Sequence, residues 1–535
     1  MFKVYKKQEM RSRNNAIIIV RIMQKWYTIR EPKRENGVDI MSISLERGAG
    51  ILMPISSLPS PYGIGTLGED AYRFADWLKE AGQKYWQVLP VGPTSYGDSP
   101  YQSYSAFAGN PYFIDLDTLV KEGCLAKEDM DLVWFEKEDS VDYSKLFENR
   151  ARVLRKAFYN SRHREDYHYH NFCNENAFWL EDYSLFMAAK AHFSYKPWSE
   201  WDDDIKFRNY DAIQRYRGLL SEDIDFWKFC QFKFFEQWSK FKNYVNELGI
   251  KIIGDIPLYV SLDSVDVWAN ERLFEMDDRK RPTLVAGVPP DCFSEDGQLW
   301  GNPIYRWSQM EAENFDWWRK RMASVCKLYD VIRIDHFIGI VRYYAIPFGS
   351  ENAKTGEWRM GPGERLTRII DEIAYNAAII AEDLGVLVPP VRELMQKMNW
   401  PGMKILEFAF DSGVTNEYLP HNYKSDCTVL YAGTHDNDTI VGFVNSAPDY
   451  VRKYVKEYLD TENEKDIPRE MIKACYQSIA RTVIIQMQDV LELDTHARIN
   501  MPATTGSNWC WRMKPGSLKT EDALWLKKKA EIYGR

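Results

Sequence analysis

Val331-Ile332-Arg333-Ile334-Asp335-His336 is the stretch of the sequence that decides the fold. A β-branched run that stops at charged residues is typical of a buried parallel strand whose carboxyl end opens into a site. Two later apolar runs end in the same way, one at Glu382-Asp383 and one at His435-Asp436. Three such strand ends, each with an acid, predict one pocket built from several strands.

Five further segments have the composition of strands, and helical patterns lie between them. Alternation of strands and helices over this length is the signature of a parallel α/β sheet. Eight strands predict an α/β protein with a (β/α)₈ TIM barrel, and the count of eight depends in part on the family resemblance described below. The five segments are Gly50–Pro54, Tyr85–Pro90, Lys251–Asp255, Met403–Phe410 and, with the weakest signal, Ala497–Asn500.

Three regions depart from the barrel pattern. Residues 1–45 are predicted to be an N-terminal extension, either disordered or an artefact of start-site assignment, because residues 1–40 are basic and weakly patterned. The catalytic domain is predicted to span residues 46–535. Residues 113–225 predict an inserted helical subdomain, since structureless loops of that length are uncommon. Residues 274–307 are rich in Pro and Gly and predict a lid-like insertion at the catalytic face.

The composition excludes several classes of function. With a net charge of −9, the chain lacks the basic footprint expected for binding nucleic acid or an anionic membrane. No segment reaches the roughly 20 apolar residues of a membrane helix, and no signal-peptide pattern is present. The 8 cysteines form no C-x-x-C pair. They are predicted to be reduced thiols of a cytoplasmic protein.

Two acids at strand ends have the surroundings that glycoside chemistry requires. Strand alternation places Arg333 on the same face as Asp335, and a neighbouring guanidinium favours an ionised, nucleophilic carboxylate. Glu382 follows an apolar run, which favours a protonated general acid. Paired carboxylates of this kind cleave glycosidic bonds. The residues alone also allow a buried salt bridge at Asp335 and a helix cap or salt bridge at Glu382.

The segment 434–439 is dense in polar side chains. Asp436 is a candidate for binding two adjacent sugar hydroxyls, and His435 for donating to another. His-Asp pairs also occur in metal-dependent phosphohydrolases, so a metal site is the alternative. The 8 histidines of the chain do not cluster at metal-ligand spacing, which favours the sugar interpretation.

Aromatic side chains offer a second signal of sugar binding. The chain has 19 Trp and 32 Tyr, most of which are expected in the core. Tyr101, in a polar loop after the second strand, and Trp300, in a Pro- and Gly-rich loop, are candidates for stacking on sugar rings. The alternative for Tyr101 is a packed turn. Asp383 is either a ligand of sugar hydroxyls or a support for its turn.

These segments together resemble the 4-α-glucanotransferase family, also called amylomaltase or disproportionating enzyme, glycoside hydrolase family 77. The resemblance runs from about Gly50 to Arg512. Any one of the motifs is weak, but their joint order is specific. The motifs are GILMPISSLPSPYGIG, WQVLP, GDSPYQSYSAFAGNPY, GDIPLYV, DSVDVWAN, GVPPDCFSEDGQLWGNP, RIDHFIG, AEDLG, GTHDND and NWCWR.

The resemblance implies a role for each matching residue. Asp335 in RIDHF would be the nucleophile, Glu382 in AEDLG the general acid and base, and Asp436 in GTHDND the stabiliser of the transition state. Arg333 and His435 would assist in the same subsite. The family's fold is a (β/α)₈ barrel, and it requires no metal or organic cofactor. Further implied substrate contacts are Tyr101, Ser99, Asp255, Trp300, Asp383 and Asn500.

Two departures from the family pattern are visible. Ile338 stands where the family commonly has Arg after RIDHF, and Pro502-Ala503 stands where it commonly has Pro-Gly. Neither position is one of the three acids. If the family's glycine has a positive φ, Ala503 would alter a tight turn and the placement of Asn500.

The acids alone do not separate transfer from hydrolysis, because both outcomes use the same two steps. Mainly from the resemblance, we expect transfer of α-1,4-glucan segments between maltooligosaccharides, or to glucose, through a covalent intermediate. The alternatives are an α-amylase-like hydrolase, a non-catalytic glycan-binding protein and a metal-dependent phosphohydrolase. The sequence does not determine the oligomeric state or the preferred length of the donor.

Overall fold

The computed structural model describes residues 42–535 apart from 96, 291–293, 386–387 and 505, together with the backbone of two short strands. Those strands, Lys33–Glu35 and Val38–Ile40, form an antiparallel pair. The predicted N-terminal extension over residues 1–45 therefore lies almost entirely outside the described residues. Residues 42–535 form one compact unit.

The predicted barrel is confirmed. Eight parallel strands are hydrogen-bonded in the order β5-β4-β3-β2-β1-β8-β7-β6. Where the two ends of this sheet meet, the Ala381 N–H donates to the Pro401 carbonyl at 3.0 Å, so the barrel is nearly closed. The strands are β1 (Gly48–Leu52), β2 (Tyr85–Gln87), β3 (Lys251–Ile256), β4 (Val331–Ile334), β5 (Ala378–Ala381), β6 (Gly402–Ile405), β7 (Thr428–Tyr431) and β8 (Thr482–Gln486).

Strand register determines which residues share the carboxyl edge of the barrel. Ile334 of β4 pairs with Ala381 of β5 and with Ile256 of β3. Asp335 directly follows Ile334, and Glu382 directly follows Ala381. The two acids therefore occupy the same level of the edge. Adjacent strands lie about 4.8 Å apart, which makes these two acids neighbours.

The interior of the barrel is a packed core. Inward-facing residues of all eight strands form one apolar cluster, as expected for strands whose side chains alternate between two faces. Toward the carboxyl edge, polar side chains such as Gln87, Asp255 and Arg333 follow on the same face. The most buried strand residues of the cluster are Leu52, Tyr85, Ile253, Val331, Ile380, Ile405, Val429, Tyr431 and Ile484.

One strand prediction was wrong, and the sixth strand was predicted in the right place but too long. The eighth strand is Thr482–Gln486, and the segment proposed for it, Ala497–Asn500, instead begins at the last residue of a short 3₁₀ turn, Thr495–Ala497, and continues as irregular backbone. The β-branched run Thr482–Ile485 carried the correct signal. The sixth strand ends at Ile405, because a 3₁₀ turn, Leu406–Ala409, follows it.

Helices surround the barrel, and seven of those in the described residues lie between β2 and β3. Those seven cover most of the segment predicted as a helical subdomain; its separate folding remains a prediction. They are Leu116–Lys121, Tyr143–Asn160, Tyr167–Glu175, Ala177–His192, Asp203–Lys206, Tyr210–Leu219 and Ser221–Glu247. The others are Glu69–Glu80, Val265–Ala269, Trp307–Ala312, Asp316–Leu328, Ile338–Val341, Glu364–Ile373, Pro389–Met398, Ile440–Ser446, Asp449–Leu459, Ile467–Gln477, Met487–Val490 and Thr520–Tyr533.

A second, antiparallel sheet of four strands extends from the loops after β3 and β4. In spatial order its strands are Glu357–Met360, Arg342–Pro347, Leu284–Val288 and Gln298–Pro303. The last two belong to the segment predicted as a lid. The regular structure described in that segment is therefore mainly a pair of strands, and its movement remains a prediction.

In the part of the chain that the structure describes, no helix is long and apolar enough to cross a membrane. The seven cysteines within that part are free thiols, three of them buried.

Candidate active site

Arg333 links two carboxylates at the carboxyl edge of the barrel. Its Nη1 donates to Asp255 Oδ2 at 2.6 Å and to Asp335 Oδ1 at 2.9 Å. Burial alone would lower the pKa of Arg333, but the two carboxylates outweigh it and hold the pKa well above its ordinary value. Arg333 is therefore a fixed cation that supplies the counter-charge for Asp335, whose side chain is 29% exposed.

Glu382 lies in the opposite environment. It is buried, and burial raises the pKa of its carboxyl to about 8, although Arg333 acts in the other direction. Its two oxygens accept hydrogen bonds from the backbone N–H groups of His336 at 2.6 Å and Leu384 at 2.7 Å. Glu382 is thus held in a fixed orientation and is mainly protonated at neutral pH.

The backbone ties these two acids to each other. The Glu382 N–H donates to the Ile334 carbonyl at 3.0 Å, and the Phe337 N–H donates to the Glu382 carbonyl at 3.0 Å. Between them, His336 has φ 48°, a left-handed conformation that is uncommon outside glycine. This turn directs the His336 N–H to the Glu382 carboxyl. The structure therefore brings the predicted acid pair together.

Asp436 is presented by a turn beyond β7. Its Oδ1 accepts a hydrogen bond from Asn500 Nδ2 at 2.6 Å, and its carbonyl accepts one from Arg498 Nη2 at 2.6 Å. The Asn500 N–H donates to the His435 carbonyl at 3.1 Å. Asp436 is 47% exposed, whereas His435 is buried. The third acid is thus held by polar contacts and opens to solvent.

Tyr101 connects the carboxylates around Arg333 with the turn that carries His435 and Asp436. Its hydroxyl donates to Asp255 Oδ2 at 2.9 Å, and its ring stacks on His435 with 5.2 Å between centroids. Trp509 lies beside both rings, at 5.8 Å from Tyr101 and 6.0 Å from His435. Ser99 Oγ accepts a hydrogen bond from the Tyr101 N–H at 3.3 Å. The predicted contacts Tyr101, Ser99 and His435 therefore belong to one wall.

Trp300 lies on the four-stranded sheet, next to the turn that follows β4. Its ring meets His336 edge-on at 4.8 Å between centroids, and Tyr259 lies 6.4 Å away. Burial lowers the pKa of His336 to about 4, so its imidazole is neutral at neutral pH. Trp300 thereby contacts the residue whose backbone holds Glu382.

Two predicted substrate contacts are engaged by other parts of the protein. The Asp255 side chain has no exposed surface, and it acts on Arg333 and Tyr101. Asp383 Oδ1 accepts a hydrogen bond from the Met403 N–H at 2.7 Å, so it supports its turn, the alternative that the sequence left open. Burial raises the pKa of Asp383.

The sequence interpretation missed several residues of this site. His336 and Trp509 lie inside the motifs RIDHF and NWCWR, so their positions were available although no role was assigned to them. Arg498 had no local signal, because its partner is a backbone carbonyl far away in the sequence. Among the described residues, no three His, Cys, Asp or Glu side chains are grouped closely enough to hold a metal ion.

Comparison with known proteins identifies the family. Residues 53–519 match the family model described as 4-alpha-glucanotransferase. The chain is 47% identical to the 4-alpha-glucanotransferase of Clostridium butyricum over 90% of this chain and 100% of that protein. The chain belongs to the 4-alpha-glucanotransferase family. The family member from Thermus thermophilus is 42% identical over 92% of this chain and 100% of its own length.

Solved structures of amylomaltases agree with this family assignment. The amylomaltase from Streptococcus agalactiae in complex with acarbose has a TM-score of 0.88 and 42% identity, over 92% of this chain and 100% of that one. The amylomaltase from Corynebacterium glutamicum has a TM-score of 0.74 at 17% identity, over 91% of this chain and 75% of that one, and shows a shared fold. The predicted family and its transferase activity are confirmed.

Proposed function

We propose that this 4-alpha-glucanotransferase moves α-1,4-glucan segments with retention of configuration, through a covalent glucosyl–enzyme intermediate on Asp335. One observation carries the proposal: two acids on adjacent strand ends lie in opposite environments. Asp335 is paired with Arg333 at 2.9 Å, and burial raises the pKa of Glu382 to about 8. A charged nucleophile and a protonated acid are what a retaining mechanism requires.

In the first step, a carboxylate oxygen of Asp335 attacks the anomeric carbon of the donor glucan. The bond from that carbon to the glycosidic oxygen breaks, and the oxygen takes the proton of Glu382. The released piece leaves with a free hydroxyl. Asp335 becomes an ester and Glu382 becomes a carboxylate.

In the second step, Glu382 acts as a base. It takes the proton from the 4-hydroxyl of an acceptor sugar, and the oxygen of that sugar attacks the anomeric carbon. The ester bond to Asp335 breaks, which restores the ionised nucleophile and the protonated acid. Maltooligosaccharides are the proposed donors, and glucose or another glucan is the proposed acceptor.

Asp436 is proposed to hold sugar hydroxyls in the transition state, with His435 beside it. Asn500 fixes the Asp436 carboxylate through its 2.6 Å hydrogen bond. Hydrogen bonds to the sugar that strengthen in the transition state contribute several kcal/mol, as a rough estimate, in glycosidases. Tyr101 and Trp300 are proposed to stack on sugar rings, with Ser99 at the same wall.

Transfer must compete with water at about 55 M, so the acceptor needs the advantage of oriented binding. The segment 274–307, which carries Trp300, is proposed to cover the bound glucan and exclude water. The two proposed steps use the side chains of Asp335 and Glu382 and need no cofactor. We also propose a cytoplasmic location, and for residues 113–225 a subdomain that borders the glucan groove.

The test is incubation with maltotriose, followed by chromatography of the products over time. Transfer yields glucose together with a ladder of longer maltodextrins. If the products are only shorter than the substrate, the enzyme hydrolyses and the transfer proposal fails. Glu382→Gln is the matched control, since it keeps the shape of the pocket but removes the acid.

A further inference from the structure

Glu407 is a buried acid that the mechanism above does not use. It follows β6 in the 3₁₀ turn Leu406–Ala409, and 8% of its surface is exposed. Its N–H donates to the Ala432 carbonyl at 3.2 Å, which places it beside the chain that leaves β7. Within the described residues, Glu407 Oε1 has no hydrogen-bond partner.

The Glu407 carboxyl packs against the backbone at the base of the catalytic turn. A Cβ atom added to Gly433 would lie 2.7 Å from Glu407 Oε1 and 3.0 Å from Gln486 Nε2. The first distance is shorter than real Cβ contacts and the second is tight, so the Glu407 and Gln486 side chains would both have to shift. Gly433 therefore permits a close contact between the carboxyl and the chain that leads to His435 and Asp436.

The same carboxyl faces the residue that shapes this turn. The Asn437 side chain approaches Glu407 closely enough to favour its charged form. Asn437 Oδ1 accepts hydrogen bonds from the Thr434 N–H at 2.9 Å and from Thr434 Oγ1 at 2.8 Å. Thr434 Oγ1 in turn accepts the Asp436 N–H at 3.3 Å. A chain of contacts thus runs from Glu407 to Asp436.

Other acids surround Glu407 and determine its charge. Burial raises its pKa well above the ordinary value, and the charges of Asp489 and Asp438 add to this. Arg498 and the Asn437 amide act in the opposite direction. Asp489 is itself buried, and burial raises its pKa to about 7. The surroundings therefore favour a neutral Glu407, which fills space without adding charge to the pocket.

We propose that Glu407 is a positioning residue for glucan transfer, whose carboxyl, wedged against Gly433 and Asn437, fixes the turn that presents His435 and Asp436 to the sugar. The inference rests on the role proposed above for Asp436. Glu407 acts through that turn and is not assigned a contact with the substrate.

The first test compares Glu407→Ala with Glu407→Gln. Because a misplaced catalytic group costs about 10- to 100-fold in rate, Glu407→Ala is expected to lower kcat by that factor with little change in KM. Glu407→Gln keeps the size and the neutral state, so it is expected to retain most of the activity. The measurement is steady-state disproportionation of maltotriose per folded enzyme, with folding followed by circular dichroism.

Two results would overturn the inference: an unchanged kcat in folded Glu407→Ala, or a loss in Glu407→Gln as large as in Glu407→Ala. Glu457→Ala, on an exposed stretch of the helix Asp449–Leu459, is the control for removal of an acid. Asp436→Asn is measured in parallel. If Asp436→Asn is impaired while Glu407→Ala is normal, only the inference about Glu407 is rejected. If Asp436→Asn is normal, the role proposed for Asp436 is rejected, and the inference about Glu407 with it.

A second test uses Gly433→Ala, which stays available if Glu407→Ala does not fold. The added methyl group would collide with the Glu407 carboxyl, so kcat is expected to fall in the wild-type background. Where Glu407→Ala folds, the closest of these contacts is removed, and the same substitution is expected to cost less in that background. Equal losses in both backgrounds, or no loss from Gly433→Ala alone, contradict the inference, since coupled residues give non-additive effects.

Discussion

The two ends of the catalytic pocket are built in different ways. On one side, Asp335 and Glu382 come directly off β4 and β5, at the level set by the pairing of Ile334 with Ala381. On the other side, Asp436 lies several residues beyond Tyr431, the last residue of β7, on a turn held by side chains. The first pair is placed by a hydrogen-bonded ladder, and the third acid by a set of polar contacts.

The two kinds of support match two tasks of the pocket: the strand-end acids break and form bonds, and the acid on the turn binds the sugar. Covalent attack and proton transfer require short, fixed distances, and rigid strand ends supply them. An acid that holds sugar hydroxyls must face the open part of the pocket, and Asp436 is 47% exposed. A turn is able to carry an acid out to that position, but it needs support from elsewhere in the fold.

Removal of the strand-end acids is expected to have the largest effect. Asp335→Asn and Glu382→Gln should each lower kcat by several orders of magnitude, because each removes a group that reacts. Asp335→Asn should fold normally, since Arg333 keeps its hydrogen bond to Asp255. The measurement is single-turnover transfer from maltotriose together with thermal unfolding. Full activity in either variant would remove that residue from the mechanism.

The pH profile tests the environment of the strand-end pair. Glu382 must be protonated to donate, and burial raises its pKa to about 8. The kcat/KM for maltotriose is therefore expected to be high below pH 8 and to fall about tenfold per unit well above it. A maltosyl donor with a leaving group that needs no proton, such as a fluoride, should lack this decline in its first step. The same decline for both donors would assign it to another group.

Ala503→Gly probes the turn-borne side and is expected to have the smallest effect. Ala503 has φ 62°, a left-handed conformation that costs an L-residue about 1–2 kcal/mol. Glycine avoids this strain but loses more chain entropy, so a net gain of roughly 0.5–1 kcal/mol in the free energy of unfolding is expected.

Urea unfolding measures that gain, and the transfer rate should stay unchanged because the hydrogen bond from Asn500 to Asp436 is kept. Gly506→Ala, in the same loop, is the opposite control: Gly506 has φ 116°, so an added side chain should destabilise the protein. A loss of stability in Ala503→Gly would show that the strain is compensated within the loop.

The strand-end half of the site was predictable from the sequence. The segments before Asp335 and Glu382 are short apolar runs that stop at a charge, and the structure has β4 and β5 there. The family resemblance left open whether Ala503 lies where a positive φ is needed, and in the structure its φ is 62°. Asn500 still reaches Asp436, so the turn tolerates the alanine.

The residues that hold the turn of His435 and Asp436 were not predictable in the same way. Glu407, Gln486 and Arg498 come from three separate segments, and their contacts arise only when β6, β7 and β8 are side by side. The prediction of Ala497–Asn500 as the eighth strand also obscured the role of Asn500, because it placed this residue on the barrel instead of on a loop that supports Asp436. The run Thr482–Gln486, which is the true strand, is entirely buried.

Arg333 has a consequence for the energetics of the whole cycle. Before the reaction, the proposed charges are one cation at Arg333 and anions at Asp255 and Asp335, with Glu382 neutral. After the ester forms, Asp335 is neutral and Glu382 is the anion, so the sum is the same. Arg333 interacts with all three acids. The buried cation thus exchanges one counter-ion for another, and the pocket need not gain or lose a dissolved ion as glucan segments pass through it.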